Sequence, residues 1–304
     1  MIWNRLPRAR LVAGALLIAI VALSGGCGSK NKKGAVTTGV DADKYLFDQG
    51  QAALKKKQWL KGREYFRTLV ENYPQSRFRP EGKLGLADTY LGENTVESLI
   101  LGANEYREFL TFFPTHEKAY YAQYQLARTH YEQMLAPQRD QTETRAAIIE
   151  FEMFLERFPD SLLIADARKG LQECRDRLSE ADYQVGFFYY RARWYPGALS
   201  RFRAVLKENP TYTNRDALYY YLADTYVRMG AAPEALPLLE RLPKEFEKSE
   251  YLLRGERLLA SVKDGTAAET VAREALKRAE QVKKAEADAK KKQQPPPPKK
   301  APRP

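Results

Sequence analysis

Few side chains in this 304-residue sequence are chemically reactive. There are two cysteines, Cys27 and Cys174, and two histidines, His116 and His130. A metal site needs His, Cys or carboxylate ligands that converge at short spacing, and no such set occurs. His116 follows Pro114-Thr115 in a turn and His130 lies in a Tyr-rich helical stretch, so both read as packing or surface residues. Cys174 falls in a helical pattern from Gly170 to Leu178 and reads as a small buried or semi-buried residue and not a reactive one. A phosphate loop would need clustered glycines ahead of a helix, and Gly25-Gly26 instead ends an apolar N-terminal run. No Gly-x-Ser-x-Gly is present, and the carboxylates sit at salt-bridge spacing along helix exteriors. The expectation is a protein that is not an enzyme, with no metal and no cofactor.

Cys27 is the exception, because its surroundings specify covalent chemistry. Arg5, Arg8 and Arg10 precede an apolar run from Leu11 to Leu23, then small residues. That order reads as a secretory signal over 1–26. The run is shorter than the about 20 residues a membrane-spanning helix requires. Leu23-Ser24-Gly25-Gly26-Cys27 resembles the lipobox of bacterial lipoproteins, with Ser24 where a Leu is usual. Lipidation of Cys27 is expected, with the acylated cysteine as the new N-terminus and no disulfide to Cys174. Several acyl chains on one residue anchor stably where one does not. Residues 27–42 read as a flexible polar tether. Gly28 stands where those lipoproteins carry an inner-membrane retention Asp, so the resemblance implies an outer-membrane anchor facing the periplasm.

The net charge of +11 would suit nucleic acid, but its distribution argues otherwise. The N-terminal arginines, Lys30, Lys32 and Lys33, and the tail account for it. Residues 266–304 hold 11 Lys/Arg against 5 Asp/Glu. The body between is close to neutral, which reads as a solvated helical surface and a protein partner, not a polyanion.

The elements that must display such a surface are visible as repeats. Five segments centre on Tyr73-Pro74, Phe113-Pro114, Phe158-Pro159, Asn209-Pro210 and Phe246-Glu247. Twelve residues before each centre stands a small residue: Gly62, Gly102, Ala147, Ala198, Ala235. Eight before stands Phe66, Tyr106, Phe151, Phe202 or Leu239, and five before Leu69, Phe109, Phe154, Val205 or Leu242. A small residue returns seven or eight after: Gly82, Ala122, Ala167, Ala217, Gly255. The large residues form a helical stripe. Proline stops that helix, and Ser76, Ser161 and Ser249 are placed to cap the next. The small residues let antiparallel helices approach. The fold expected is all-α, a tetratricopeptide-like helical solenoid of about five helix pairs over 43–263. The centres lie 40, 45, 51 and 37 residues apart, so some helices or loops are lengthened.

One long connection, Met134 to Thr144, is expected to be a binding loop, with Thr142 capping a helix from Glu143. The runs at Tyr120-Tyr121, Phe187–Tyr190 and Tyr219–Tyr221 put rings on several helix faces. Most should be core, and the remainder should line a groove suited to extended peptides. Residues 264–304 read as a basic Ala/Lys helix followed by a Pro-rich disordered tail.

Taken together, the signal, the lipobox and five repeats resemble the BamD family of outer-membrane protein assembly lipoproteins over about residues 43–263. The segments that carry the resemblance are Tyr73-Pro-Gln-Ser76, Phe113-Pro-Thr-His116, Tyr121-Ala-Gln-Tyr124, Arg139-Asp-Gln-Thr142, Phe158-Pro-Asp-Ser161, Phe188-Tyr-Tyr190 and Ala198-Leu-Ser-Arg201. Glu117 departs from a usual Pro, and the basic tail is an addition. The resemblance implies a non-catalytic scaffold of the β-barrel assembly machinery. Its partners would be unfolded outer-membrane proteins and a BamA-like β-barrel protein, with other assembly lipoproteins possible. It places partner contacts at Arg139, Asp140, Tyr195 and Arg201, and a substrate-peptide groove at Tyr90, Tyr121 and Tyr124. The competing reading is another repeat lipoprotein of the envelope, a pilotin-like factor or a cell-division coordinator.

Overall fold

The computed structural model describes residues 41–293, and the signal, Cys27 and the end of the tail lie outside that range. Twelve helices follow one another, with no strand among the described residues. They are α1 (Ala42–Lys55), α2 (Trp59–Asn72), α3 (Arg79–Glu93), α4 (Val96–Phe112), α5 (Ala119–Glu132) and α6 (Thr142–Arg157). Then come α7 (Ile164–Arg191), α8 (Tyr195–Glu208), α9 (Arg215–Arg228), α10 (Ala232–Glu245), α11 (Leu252–Lys263) and α12 (Thr266–Gln293). The five repeat centres fall between α2 and α3, α4 and α5, α6 and α7, α8 and α9, and α10 and α11. These are the five expected pairs, flanked by α1 and α12. Each helix packs on the next, and α1 with α3, α5 with α7, α7 with α9 and α9 with α11 also touch. The odd-numbered helices thus share one layer of the solenoid.

All twenty positions of the repeat pattern are buried. The small residues are small because a neighbour occupies the space. A Cβ on Gly82 would lie 2.6 Å from Leu69 Cδ2, and one on Gly255 would lie 2.6 Å from Leu242 Cδ2. The same contact therefore recurs at both ends of the array. Irregular spacing has two sources. The 45-residue step contains the connection 133–141, and the 51-residue step contains α7, which at 28 residues is twice the length of most others.

Two capping expectations are corrected. Ser76, Ser161 and Ser249 are not N-caps. Each hydroxyl accepts from the N–H two residues on (Phe78, Leu163 and Tyr251), closing a turn before the helix begins. Ser76 and Ser249 then donate to Asp43 and Asp216, each at 2.6 Å, which ties the turn to a neighbouring helix. His116 occupies the equivalent place, and its Nδ1 accepts from the Lys118 N–H at 3.1 Å. Thr142 is the first residue of α6 and not its cap; its N–H donates to Asp140 Oδ1 at 2.6 Å.

Packing continues past residue 263. Ala267 is buried, and Val271 lies against the core built around α8, α9 and α10. Cys174 is fully buried, and burial pushes its thiol up to about 12, consistent with an inert side chain.

Candidate functional site

Two surfaces gather the residues singled out from the sequence. The first is built where the connection 133–141 folds onto α7. Gln141 organises that connection. Its side chain is buried, its Nε2 donates to the Ala136 and Arg139 carbonyls, and its Oε1 accepts from Thr144. Gln138 donates across to Gln184 of α7. Arg139 and Asp140 are thereby held at an exposed tip. Hydrogen bonds from Thr142 hold the Asp140 carboxyl below the usual range.

Beneath the tip lies a cavity of about 650 Å³ between Pro137, Gln141 and the α7 residues Asp182, Val185 and Phe188. Phe188 is 66% exposed, an unusual placement for so large an apolar ring. Asp182 also accepts from Arg201 Nη1 at 2.8 Å. The connection and the exposed ring line one cavity whose side chains are mixed polar and apolar, and Arg201 is joined to it through Asp182. That composition suits protein docking.

Tyr195 is elsewhere. It stands at the start of α8, edge-on to Tyr190 at 6.1 Å, and lines a separate cavity with Arg228 and the α12 residue Glu274. Arg201 is tied to the first cavity through Asp182, and Arg139 and Asp140 stand at the exposed tip of the connection that borders it; Tyr195 lines the other cavity.

The second surface lies on the odd-helix layer. Gln51 of α1, Asp88 of α3, and Lys118, Tyr120 and Tyr121 at α5 enclose a cavity of about 220 Å³. Asp88 is its charged floor, and Tyr106 and Tyr121 both donate to Asp88 Oδ1. Burial raises the Asp88 carboxyl to about 6, against the lowering effect of those two hydroxyls. Burial also pushes the Tyr121 hydroxyl well above its ordinary value.

The expected tyrosine groove is only partly assembled. Tyr121 lines this cavity. Tyr90 is 5% exposed, packs with Phe66 in the first core cluster, and has the Arg63 guanidinium 3.9 Å over its ring. Its hydroxyl accepts from Arg67 at 2.9 Å. Tyr90 is thus a core residue, because the residue after Thr89 on α3 turns towards α2. Tyr124 packs edge-on to Phe151 and Phe154 at 6.1 and 5.7 Å, in the third cluster.

Sequence reasoning overlooked Gln141, Val185, Phe188 and Asp88. A signal for Asp88 existed. Leu86-Ala-Asp-Thr-Tyr90 in α3 repeats as Leu222-Ala-Asp-Thr-Tyr226 in α9. In the second copy Asp224 likewise accepts from a tyrosine, Tyr190, at 2.5 Å. Among the described residues no group of His, Cys, Asp and Glu could hold a metal.

A family model described as YfiO, outer membrane lipoprotein, matches residues 40–237. The chain is similar to the outer membrane protein assembly factor BamD of Caulobacter vibrioides, at 26% identity over 74% of this chain and 72% of that one. It is also similar to the BamD of Rickettsia prowazekii, at 25% identity over 82% and 96%. Among solved structures it is similar to the TPR2AB domain of yeast Sti1 in its pHSP90 complex, at 13% identity and a TM-score of 0.44, over 81% of this chain and 96% of that one.

Proposed function

The chain belongs to the YfiO outer membrane lipoprotein family, and on that premise we propose that it is a non-catalytic scaffold of outer-membrane β-barrel assembly. Residues 1–26 are removed, lipid on Cys27 anchors the chain, and the solenoid faces the periplasm from the outer membrane. The surface formed by the 133–141 connection, Phe188 and Arg201 docks a BamA-like barrel subunit. The odd-helix layer around Asp88 and Tyr121 receives extended segments of unfolded outer-membrane proteins. The observation that carries the reading is family membership over the same residues that build both surfaces.

Co-purification from detergent-solubilised membranes tests it. A barrel-forming protein of the assembly machinery is expected among the recovered partners, and depletion should lower barrel proteins in the outer membrane. Recovery without such a partner, or depletion with normal barrel levels, overturns the reading. A pilus or division defect with normal barrels would favour the other class of repeat lipoprotein.

A further inference from the structure

The cavity that holds Tyr195 has a composition unlike the rest of the solenoid. It encloses about 520 Å³ where the end of α7, the start of α8, the end of α9 and one face of α12 meet. Its lining includes Arg191, Arg193, Arg228, Lys277 and Arg278 against one carboxylate, Glu274. Arg228 is the member already paired, with Asp224 at 3.3 Å and Glu274 at 2.7 Å. The other four cations form no ion pair with a described residue. In a body close to neutral, this is a concentrated positive potential, and the N-terminus of α8 adds to it.

The backbone supplies a second observation. Three short turns, α1–α2, α7–α8 and α9–α10, close in the same way. Gln58, Trp194 and Ala231 each donate an N–H to the carbonyl five residues back, at 2.9 Å. The residue before each is left-handed: Lys57 at φ 55°, Arg193 at 61° and Gly230 at 77°. Glycine is the usual residue there because a side chain strains that conformation. The α9–α10 turn uses it. The turn beside the cavity carries Arg193 instead, so a strained position delivers a guanidinium to this cation-lined cavity.

We propose that this cavity is a site for a phosphate group. Four unpaired cations from α12 and the α7–α8 turn exceed what one carboxylate would need. Arginine matches phosphate oxygens in forked geometry. Walls from four helices favour a compact group over an extended strand. The phosphate can belong to a lipid head group or be a free anion. The site joins α7–α9, inside the family match, to α12, which lies beyond residue 237. It stands independently of the assembly role proposed above.

Calorimetric titration of the full chain in detergent tests this, with inorganic phosphate and with glycerophosphoglycerol, the soluble head group of phosphatidylglycerol. Sodium acetate at matched ionic strength is the control. Saturable binding of at least one phosphate, absent for acetate, is expected, and the tighter of the two identifies the source. Arg193→Gly should lower affinity by about tenfold while melting no lower than the parent, since glycine suits the turn. Lys277→Gln should weaken binding similarly. No saturable binding, unchanged affinity in both variants, or tighter binding of hexaglutamate than of either phosphate overturns the proposal; the last would mark an acidic-peptide site.

Discussion

The Tyr121 hydroxyl donates to the Asp88 carboxylate across 3.0 Å, joining α5 to α3 at the floor of the inner cavity. Burial has raised the pKa of that carboxyl to about 6, from an ordinary 3.8. Between those two values the folded chain holds a proton that the unfolded chain has lost. Stability is therefore favoured below pH 4 and falls as pH rises through 6, by about 3 kcal/mol for a shift of this size. Asp88→Asn keeps an acceptor for both tyrosines and removes the charge. It should flatten the pH dependence between 4 and 6 and raise the urea midpoint at pH 7.5. A variant that loses stability equally at pH 4.5 and 7.5 would show the carboxylate to be a net stabiliser.

Gly85 faces the Phe66 ring, and a Cβ there would lie 2.5 Å from Cζ. The ring is fully buried and cannot swing away as an aliphatic tip can. Gly85→Ala should cost about 1–3 kcal/mol by overpacking. Combining it with Phe66→Leu should recover part of that loss, so the two changes should couple in a double-mutant cycle of unfolding free energies. Strict additivity would mean that the helices separate instead.

Arg201 and Asp182 are both substantially exposed, so their ion pair contributes little to folding. Arg201→Glu should change stability by less than about 1 kcal/mol and weaken docking of the barrel subunit by about tenfold or more. The exchanged pair Arg201→Asp with Asp182→Arg restores the attraction between α7 and α8. If the arginine faces the partner, the exchange leaves docking impaired; if it only joins the helices, docking recovers. Pull-down at fixed ionic strength separates the two.

Gln141 holds the 133–141 connection through three hydrogen bonds. Gln141→Ala removes the side-chain donor of the Arg139 carbonyl and leaves the buried Thr144 hydroxyl without its acceptor, while the Ala136 carbonyl keeps the Arg139 N–H; the loss should be about 1–3 kcal/mol. Amide exchange over 134–141 should quicken while the core of α9 stays protected. Partner affinity should fall with it, because Arg139 and Asp140 lose their fixed position.

Cys27→Ala removes the only residue proposed to carry lipid. The chain should then fractionate with soluble periplasmic protein instead of membranes. Membrane retention of the variant at high salt would count against the anchor.

The repeat core was legible in the sequence because its information is local. Large residues eight and five positions before each centre, and a small one twelve before, report helix faces that must meet. All twenty such positions are buried. At four of the five centres the helix ends at the proline, as ring geometry requires, whereas α10 holds Pro237 and Pro243 inside it and ends at Glu245 without one. What escaped was whatever depends on the third dimension. The serines after the prolines have cap-forming chemistry, yet the helix starts later, and the hydroxyls close turns instead. Tyr90, Tyr121 and Tyr124 share a residue type, but helix rotation sends them to three different clusters. Arg201 joins the cavity bordered by the 133–141 connection through Asp182, while Tyr195, only six positions from Arg201, lines another cavity. The twenty repeat positions could be read as core from the chain alone, since periodicity encodes burial, whereas the core placement of Tyr90 and the meeting of exposed residues could not. That depends on superhelical stacking, which distributes small rotations over twelve helices and leaves no local mark in the chain.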